Sequence, residues 1–392
     1  MSKPTLEQLR NAAIVHRAGA DASKRNLLKL PVSKSKSGII SQCFEDIQAV
    51  PIDWLWPNLI ARGKLTIIAG NPGLGKSQIT ASIAAIVSAE GKWPVSGIQS
   101  RKGHCLFLSA EDDPADTLKP RLIAAGADLL CTHVIEAVSM GMNGSGKEGK
   151  RAFCFTKDME RLDQEIACRG NVAVVFIDPI TAYLGATDSH KNSDIRGLLA
   201  PLAEIASRHN IAAIAVTHLN KSNGGRAIMK VTGSLGFVAA ARAAFLVVED
   251  PEEKARLLFL PIKNNLGPDN FGLAFRIEGT TLPSSNGLIV TSRVVWEDEA
   301  VIQSADEILS ASSEKQTNRR DAAGQFLEEI LSSEPKNVRE LMEAADQHGH
   351  AWKTIQRASS VLKIHKVKLA MDKGWTWELP SKVAKSSEDS HI

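Results

Sequence analysis

The sequence predicts an α/β fold, a mainly parallel sheet covered by helices on both faces, followed by a small C-terminal winged-helix domain. Three observations carry this expectation. From about residue 46 to 300, apolar strand-like runs alternate with helical patterns, and strands joined through helices need right-handed crossovers and a parallel sheet. A glycine-rich turn, GNPGLGKS at 70–77, separates one such run from one such helix. Beyond about residue 300 the composition changes to short amphipathic helices and a terminal strand pair.

Composition sets the outer limits. A chain of 392 residues with 43% hydrophobic content suits two or three globular domains. The net charge is only +3, so any nucleic-acid surface must be local. The five cysteines form no C-x-x-C pair, and their odd number argues against a disulfide framework and for a reducing cytoplasm. The opening MSKPTLEQLRNAAIVHRAGA has no signal-type apolar core, and no run of 18 apolar residues appears. The expectation is a cytoplasmic protein with no membrane partner.

Taken in order, residues 1–45 are rich in Lys, Ser and Ala, and PVSKSKSG reads as a flexible tether. KLTIIA at 64–69 reads as a buried strand and QITASIAAIVSAEG as a helix. Between them, GNPGLGKS fits G-x-x-x-x-G-K-S/T with both flanks in place. Glycines let successive backbone N–H groups point inward as an anion cradle, and the helix start adds its positive dipole end. Gly70, Asn71, Pro72, Gly73, Leu74, Gly75, Lys76, Ser77 and Gln78 are therefore the candidate nucleotide contacts. Lys76 would reach the β- and γ-phosphates of ATP, and Ser77 would hold Mg²⁺.

HCLFLSAEDDP, NVAVVFIDP, IAAIAVTHL, AAFLVVED and ARLLFLPIKN read as further strands. Asp178 ends one of them, where a carboxylate either holds Mg²⁺ or caps the next helix. Glu111 ends another and is the candidate base that polarises the attacking water. Asp112 and Asp113 read as caps or solvated surface. Thr217 and His218 close a third strand at the edge where the γ-phosphate would lie. SMGMNGSGKEGKR at 139–151 reads as a mobile loop, and KSNGGRAIMKVTGSLGF at 221–237, with Lys221, Arg226 and Lys230, as either a phosphate-backbone loop or a hinge. AAARAAFLVV sets Arg242 in a small, apolar helix. Burying an unpaired arginine is costly, so its partner is either an anion, such as a neighbouring subunit's nucleotide, or an intrachain acid.

In this order GNPGLGKS, SAEDDP, FIDPITAYLG, THLNK, GSLGFVAAAR and IKNNLG resemble the RecA-like ATPases, and within them the RepA-type hexameric replicative helicases of plasmids, phages and mobile elements. The resemblance covers roughly residues 45–295. It implies a RecA-like P-loop NTPase core at 46–300, ATP and Mg²⁺ as cofactors, Lys76 and Ser77 as the phosphate and metal residues, Glu111 as base and Asp178 as the second metal carboxylate. It implies that His218 links the γ-phosphate to the DNA loop and that Arg242 acts in trans. The departure lies at KNN. Related helicases often place a lysine and an arginine two apart, whereas here Lys263 is followed by Asn264 and Asn265. Lys263 keeps a finger role, and the arginine role falls to Arg242. The segment VPIDWLWPNLIARGKLTIIAG also fits the family, with Trp54 and Trp56 either beside the nucleotide base or structural.

Residues 301–320 read as a linker, 321–379 as three helices and a hairpin, and 380–392 as a disordered tail. Three helices and a wing make a winged helix. Its third helix and wing, 352–373, carry Lys353, Arg357, Lys363, Lys366, Lys368 and Lys373 against the single acid Asp372. Such a stripe is a footprint of phosphate contacts or a solvated protein-docking face. Two functions fit: an ATP-driven DNA motor, a ring helicase in replication or recombination of a mobile element, holding single strands at its core and duplex at its tail domain; or a non-motor, ATP-dependent DNA-binding or assembly regulator.

Overall fold

The computed structural model describes residues 41–142, 148–188, 191–219, 227–230, 235–285, 287–368 and 374–380. Residues 1–40 of the expected 1–45 tether, the centre of the 139–151 loop, Lys221 and Arg226, Asp372 and Lys373, and the expected tail beyond residue 380 lie outside them. The chain divides into units at 1–51 and 52–392. In the first, the described residues hold a single helical turn, Phe44–Asp46.

The second unit is built on one large sheet. β3 (Leu65–Gly70), β4 (His104–Ser109), β5 (Thr132–Val134), β8 (Val172–Asp178), β9 (Ala212–Thr217) and β10 (Ala243–Glu249) pair in parallel. β11 (Leu257–Asn264), β12 (Gly272–Ser284) and β13 (Gly287–Val301) extend the sheet antiparallel. Across the sheet the strands run in the order β13-β12-β11-β10-β3-β9-β8-β4-β5. β3, β8, β9 and most of β10 are buried along their length, as continuous apolar runs require when both faces are covered. Alternate residues face opposite ways. Ile68, Phe176 and Phe245 pack with Ile79, Ile83 and Leu122 of α1 (Lys76–Ser88) and α2 (Lys119–Ala125). Ile67, Val175 and Ala244 pack with α3 (Phe155–Arg169), α4 (Asn192–His209) and α5 (Leu235–Ala240).

Two smaller pairs lie outside this sheet. β1 (Trp54–Trp56) and β2 (Ile60–Ala61) form an antiparallel clip. Trp56 is 1% exposed, stacks on Trp93 at 4.7 Å and meets the edge of Trp296 at 5.3 Å. It is thus a core aromatic. The 139–151 segment, expected as a loop, has regular flanks: β6 (Val138–Met142) pairs with β7 (Glu148–Arg151).

The residues expected as a linker, 301–320, are mostly helical. A single helix, α6 (Ala305–Leu331), runs through them. A reciprocal cap starts it, Glu307 N–H donating to Ser304 Oγ at 3.2 Å and Ser304 N–H to Glu307 Oε2 at 2.8 Å. Its sequence contains no proline, and its polar middle bridges two cores rather than facing one. Ala305 and Ile308 join Leu246, Leu258 and Val301 beside the sheet. Ala323, Phe326, Leu327 and Leu331 join the tail core with Leu341 of α7 (Val338–Gln347), Ile355 of α8 (Trp352–Val361) and Trp377. There β14 (Lys336–Asn337) and β15 (His365–Lys368) flank β16 (Trp375–Glu378). No helix among the described residues is long and apolar enough to cross a membrane.

Candidate functional site

Four parallel strands end at one edge of the sheet, three of them leading to polar side chains and one to the glycine-rich turn. β3 ends in Gly70, β4 leads into Glu111, β8 ends in Asp178 and β9 in Thr217. β9 lies between β3 and β8, so Thr217 and His218 fall between the glycine-rich turn and Asp178. This is the carboxyl edge of an open α/β sheet, where ligands collect.

The turn is shaped for close approach of a ligand to backbone. Gly73 and Gly75 hold φ of 82° and 76°, values that cost other residues steric energy. A Cβ on Gly70 would lie 2.8 Å from the Val247 carbonyl, and one on Gly75 would lie 2.5 Å from Ile277 Cδ1. β12 therefore closes against the back of the turn. Asn71, Pro72 and Gly73 are exposed, while Leu74, Lys76 and Gln78 are buried. Lys76 Nζ donates to the Asn71 carbonyl at 2.9 Å. Burial lowers the Lys76 pKa, and Asp178 and Glu111 oppose that shift.

Asp178 is 8% exposed. Burial raises its pKa, against a hydrogen bond from Ser77 that lowers it; Asp112 and Glu111 push it further up. The helical turn after it, Ile180–Tyr183, has Pro179 at its N-cap and no side-chain cap, so Asp178 faces Ser77 instead of capping. Glu111 lies just past the paired end of β4, its side chain 58% exposed, with Oε1 3.6 Å from His218 Nε2. Asp113 is a cap, accepting from Ala115 N–H at 2.8 Å and Asp116 N–H at 3.1 Å. Asp112 is neither cap nor free surface, because Arg121 Nη1 pairs with it at 2.5 Å. Nothing in the spacing of DPADTLKPR marks Arg121, which reaches the site only through the way α2 folds back.

A test of fit comes from the polar atoms left over. Thr217 Oγ1 and His218 Nδ1 are buried without a hydrogen-bond partner among the described residues, a costly condition unless another group satisfies them. Together with an anion cradle, a buried lysine and the Ser77–Asp178 pair, they suit a bound phosphate ester. A hydroxyl and a carboxylate are also the oxygen donors a hard divalent cation takes.

The structure does not bring Arg242 or Lys263 to this edge. Arg242 is exposed, at the bend between α5 and β10; it is in no helix and needs no buried partner, which corrects the burial argument. Its N–H donates to the Leu65 carbonyl at 2.9 Å, so it stands beside the start of β3, about 16 Å of strand from the glycine-rich turn. Lys263 pairs with Ala244 at the same far edge. Its Nζ donates to the carbonyls of Val238 at 2.8 Å and Ala241 at 2.6 Å, closing the end of α5. Burial lowers its pKa, and the neighbouring Arg242 and Arg196 lower it further. The following asparagine has turn work: Asn264 Nδ2 donates to the Asn58 and Pro268 carbonyls, and Oδ1 accepts from Leu266 and Gly267 N–H.

In the tail, Lys353, Arg357, Lys363, Lys366 and Lys368 are all exposed. Lys366 Nζ lies 4.4 Å over the Trp377 ring, which stacks on Trp352 at 5.3 Å.

Residues 43–224 match the family model of an AAA domain. Among solved structures, the chain is similar to an ATPase domain at 11% identity and a TM-score of 0.42, over 70% of this chain and 96% of that one. No curated protein matches. The family match ends before β10, yet β10 to β13 close the sheet beside β3 and back the glycine-rich turn. With the phosphate-loop strand, an intervening strand and the carboxylate strand side by side, the sheet and its glycine-rich turn have the fold of a RecA-like P-loop core.

Proposed function

We propose that the chain is an ATP-hydrolysing DNA motor of RecA-like helicase type, a cytoplasmic homo-oligomeric ring serving replication or recombination of a mobile element. The observation that carries the ATPase part is the convergence of Lys76, Ser77, Asp178, Glu111 and His218 on one sheet edge. Residues 70–78 bind the phosphates through backbone N–H groups, and Lys76 adds a point charge. Ser77 and Asp178 hold Mg²⁺, which when bound offsets phosphate charge. Glu111 accepts the proton of the attacking water. His218, beside Glu111 and shortly before the 221–237 segment in sequence, carries the change at the γ-phosphate to that segment, which we read as the single-strand contact.

Arg242 and Lys263 serve the neighbouring subunit's nucleotide. Their support is position: both lie at the edge away from the chain's own phosphate loop, with Arg196 adding a third cation near Lys263. The three tail helices and β15–β16 hairpin are read as a winged helix that holds duplex DNA through its exposed cations. A non-motor regulator would use the same ATPase site. The deciding experiment measures ATP turnover with and without single-stranded DNA, alongside strand displacement from a forked duplex. Stimulated turnover with displacement supports the motor, and turnover indifferent to DNA with no displacement rejects it.

A further inference from the structure

The candidate base has few contacts of its own. Glu111 is more than half exposed, and His218 Nε2 lies 3.6 Å from its Oε1. Its position is set by the turn that carries it. The last paired residue of β4 is Ser109, opposite Asp178, and one more backbone bond follows, Ala110 N–H to the Asp178 carbonyl at 3.0 Å. Beyond that, Ser109 Oγ reaches the Asp112 carbonyl at only 3.4 Å. The strong link is the ion pair between Asp112 and Arg121, with side chains 18% and 24% exposed.

Arg121 has a second attachment. With the Gln78 amide oriented to satisfy its neighbours, Gln78 Oε1 accepts from Arg121 Nε at 3.2 Å and from Ser292 Oγ at 2.7 Å, while Nε2 donates to the Ser292 carbonyl at 3.0 Å. Gln78 follows Ser77 in the first turn of α1 and is 7% exposed. One guanidinium thus joins the carboxylate turn after β4 to the helix that begins at the phosphate loop, and β13 holds that helix residue from behind. A planar fork with donors in fixed directions is suited to two acceptors at once, which an ammonium is not.

We infer that Arg121 is a positioning residue for ATP turnover, which fixes the Glu111–Asp113 turn on the first turn of α1 by holding Asp112 and Gln78 together. The inference rests on the ATPase reading of the site. It gives Asp112 a role as well, the anchor through which Glu111 is held. Misplacement of a reacting group by about 1 Å can cost on the order of 100-fold in rate without touching ground-state binding, so the expected signature is a fall in kcat with KM kept.

The test is steady-state ATP hydrolysis by the full chain for wild type, Arg121→Ala, Arg121→Lys, Asp112→Asn, the Arg121→Ala/Asp112→Asn double variant and Lys76→Ala. Thermal melting and binding of a fluorescent ATP analogue accompany each assay. Arg121→Ala is expected to lower kcat by about 10- to 100-fold with KM within about threefold. Arg121→Lys, which keeps the charge on Asp112 but cannot also serve Gln78, recovers part of the loss. The double variant is no slower than Arg121→Ala, because both changes break one link. Unchanged kcat in Arg121→Ala, a raised KM at unchanged kcat, or additive losses in the double variant would each overturn the positioning role. Should Arg121→Ala lose its melting transition, Arg121→Lys and Asp112→Asn, which nearly keep the side-chain volume, are read by the same split. Wild-type turnover in Lys76→Ala would instead reject the ATPase site itself, whatever Arg121→Ala does.

Discussion

His218 Nε2 lies 3.6 Å from Glu111 Oε1 while the other ring nitrogen, Nδ1, is buried without a hydrogen-bond partner among the described residues. Two strands apart in the sheet, β4 and β9 thus meet across the end of β8. The ring touches the candidate base on one side and keeps an unused polar atom on the other.

Glu111→Gln removes proton acceptance and keeps shape. Nucleotide binding should persist while turnover falls by about 100-fold or more, the usual scale of general-base catalysis. Single-turnover hydrolysis with a parallel binding titration checks it, and normal turnover would move the base elsewhere. His218→Ala is expected to leave basal turnover nearer to wild type than Glu111→Gln while weakening the response to single-stranded DNA.

The strands and the phosphate turn were legible in the sequence because each is local: an apolar run, a glycine pattern, a helix. Glu111, Asp178 and His218 could be picked out by standing at strand ends. Arg121 could not, since its partners Asp112 and Gln78 lie nine and 43 positions away and no local pattern joins them. Arg242 was misread because AAARAAFLVV is apolar under either period, so the break between α5 and β10 at residue 242 left no mark. The helical state of 305–320 left no mark for the opposite reason: the first half of α6 is polar on most faces, as a helix bridging two cores can be.

Lys76→Ala and Asp178→Asn should separate binding from turnover. Without the Lys76 ammonium, phosphate affinity falls and little nucleotide is held. Asp178→Asn keeps the cradle and the lysine, so nucleotide stays bound while Mg²⁺-dependent turnover is lost. Calorimetric titration with and without Mg²⁺ distinguishes the two, and equal hydrolysis in both variants and wild type would reject the site.

Burial gives Asp178 a pH signature in stability. Its folded pKa is raised, chiefly by desolvation, so the folded state holds the proton more tightly than the unfolded chain does. Stability from this group is therefore greatest below the ordinary aspartate range, falls as pH rises through the unfolded and then the folded pKa, and stays reduced above. In chelator and without nucleotide, Asp178→Asn should melt higher than wild type at neutral pH, with the gap closing as pH drops below the ordinary aspartate range. A gap that widens on acidification would contradict the assignment.

The extent of α6 decides where the tail can be removed. Asp306 Oδ1 accepts from Ala227 N–H at 2.6 Å, and Lys315 Nζ reaches the Pro251 carbonyl at 2.9 Å. A chain ending at 304 loses both, and with Ala305 and Ile308 gone it uncovers apolar surface beside the sheet. A chain ending at 320 keeps them. The shorter form should melt lower and lose turnover, while the longer one keeps basal ATPase and binds duplex DNA more weakly, with a flatter dependence of log affinity on log salt. Unchanged affinity and slope in the 1–320 form would make the tail a protein-docking module.

The ring reading is tested through Arg242. Its exposed position at the amino end of β10, next to Leu65 and away from the turn at 70–77, means that it cannot serve its own phosphate loop without leaving the sheet edge. A finger supplied in trans stabilises transition-state charge by about 10³-fold or more and does nothing in an isolated subunit. Arg242→Ala should keep ATP affinity and lose hydrolysis. Mixed with Lys76→Ala subunits, it should regain part of that activity, because an interface pairing the intact phosphate loop of one variant with the intact arginine of the other is complete. Only interfaces of one orientation qualify, so rescue stays well below wild type. Mass measurements confirm that mixed assemblies form. If they do and Arg242→Ala alone hydrolyses ATP at the wild-type rate, the arginine is surface and the trans site must be sought at Lys263 or Arg196.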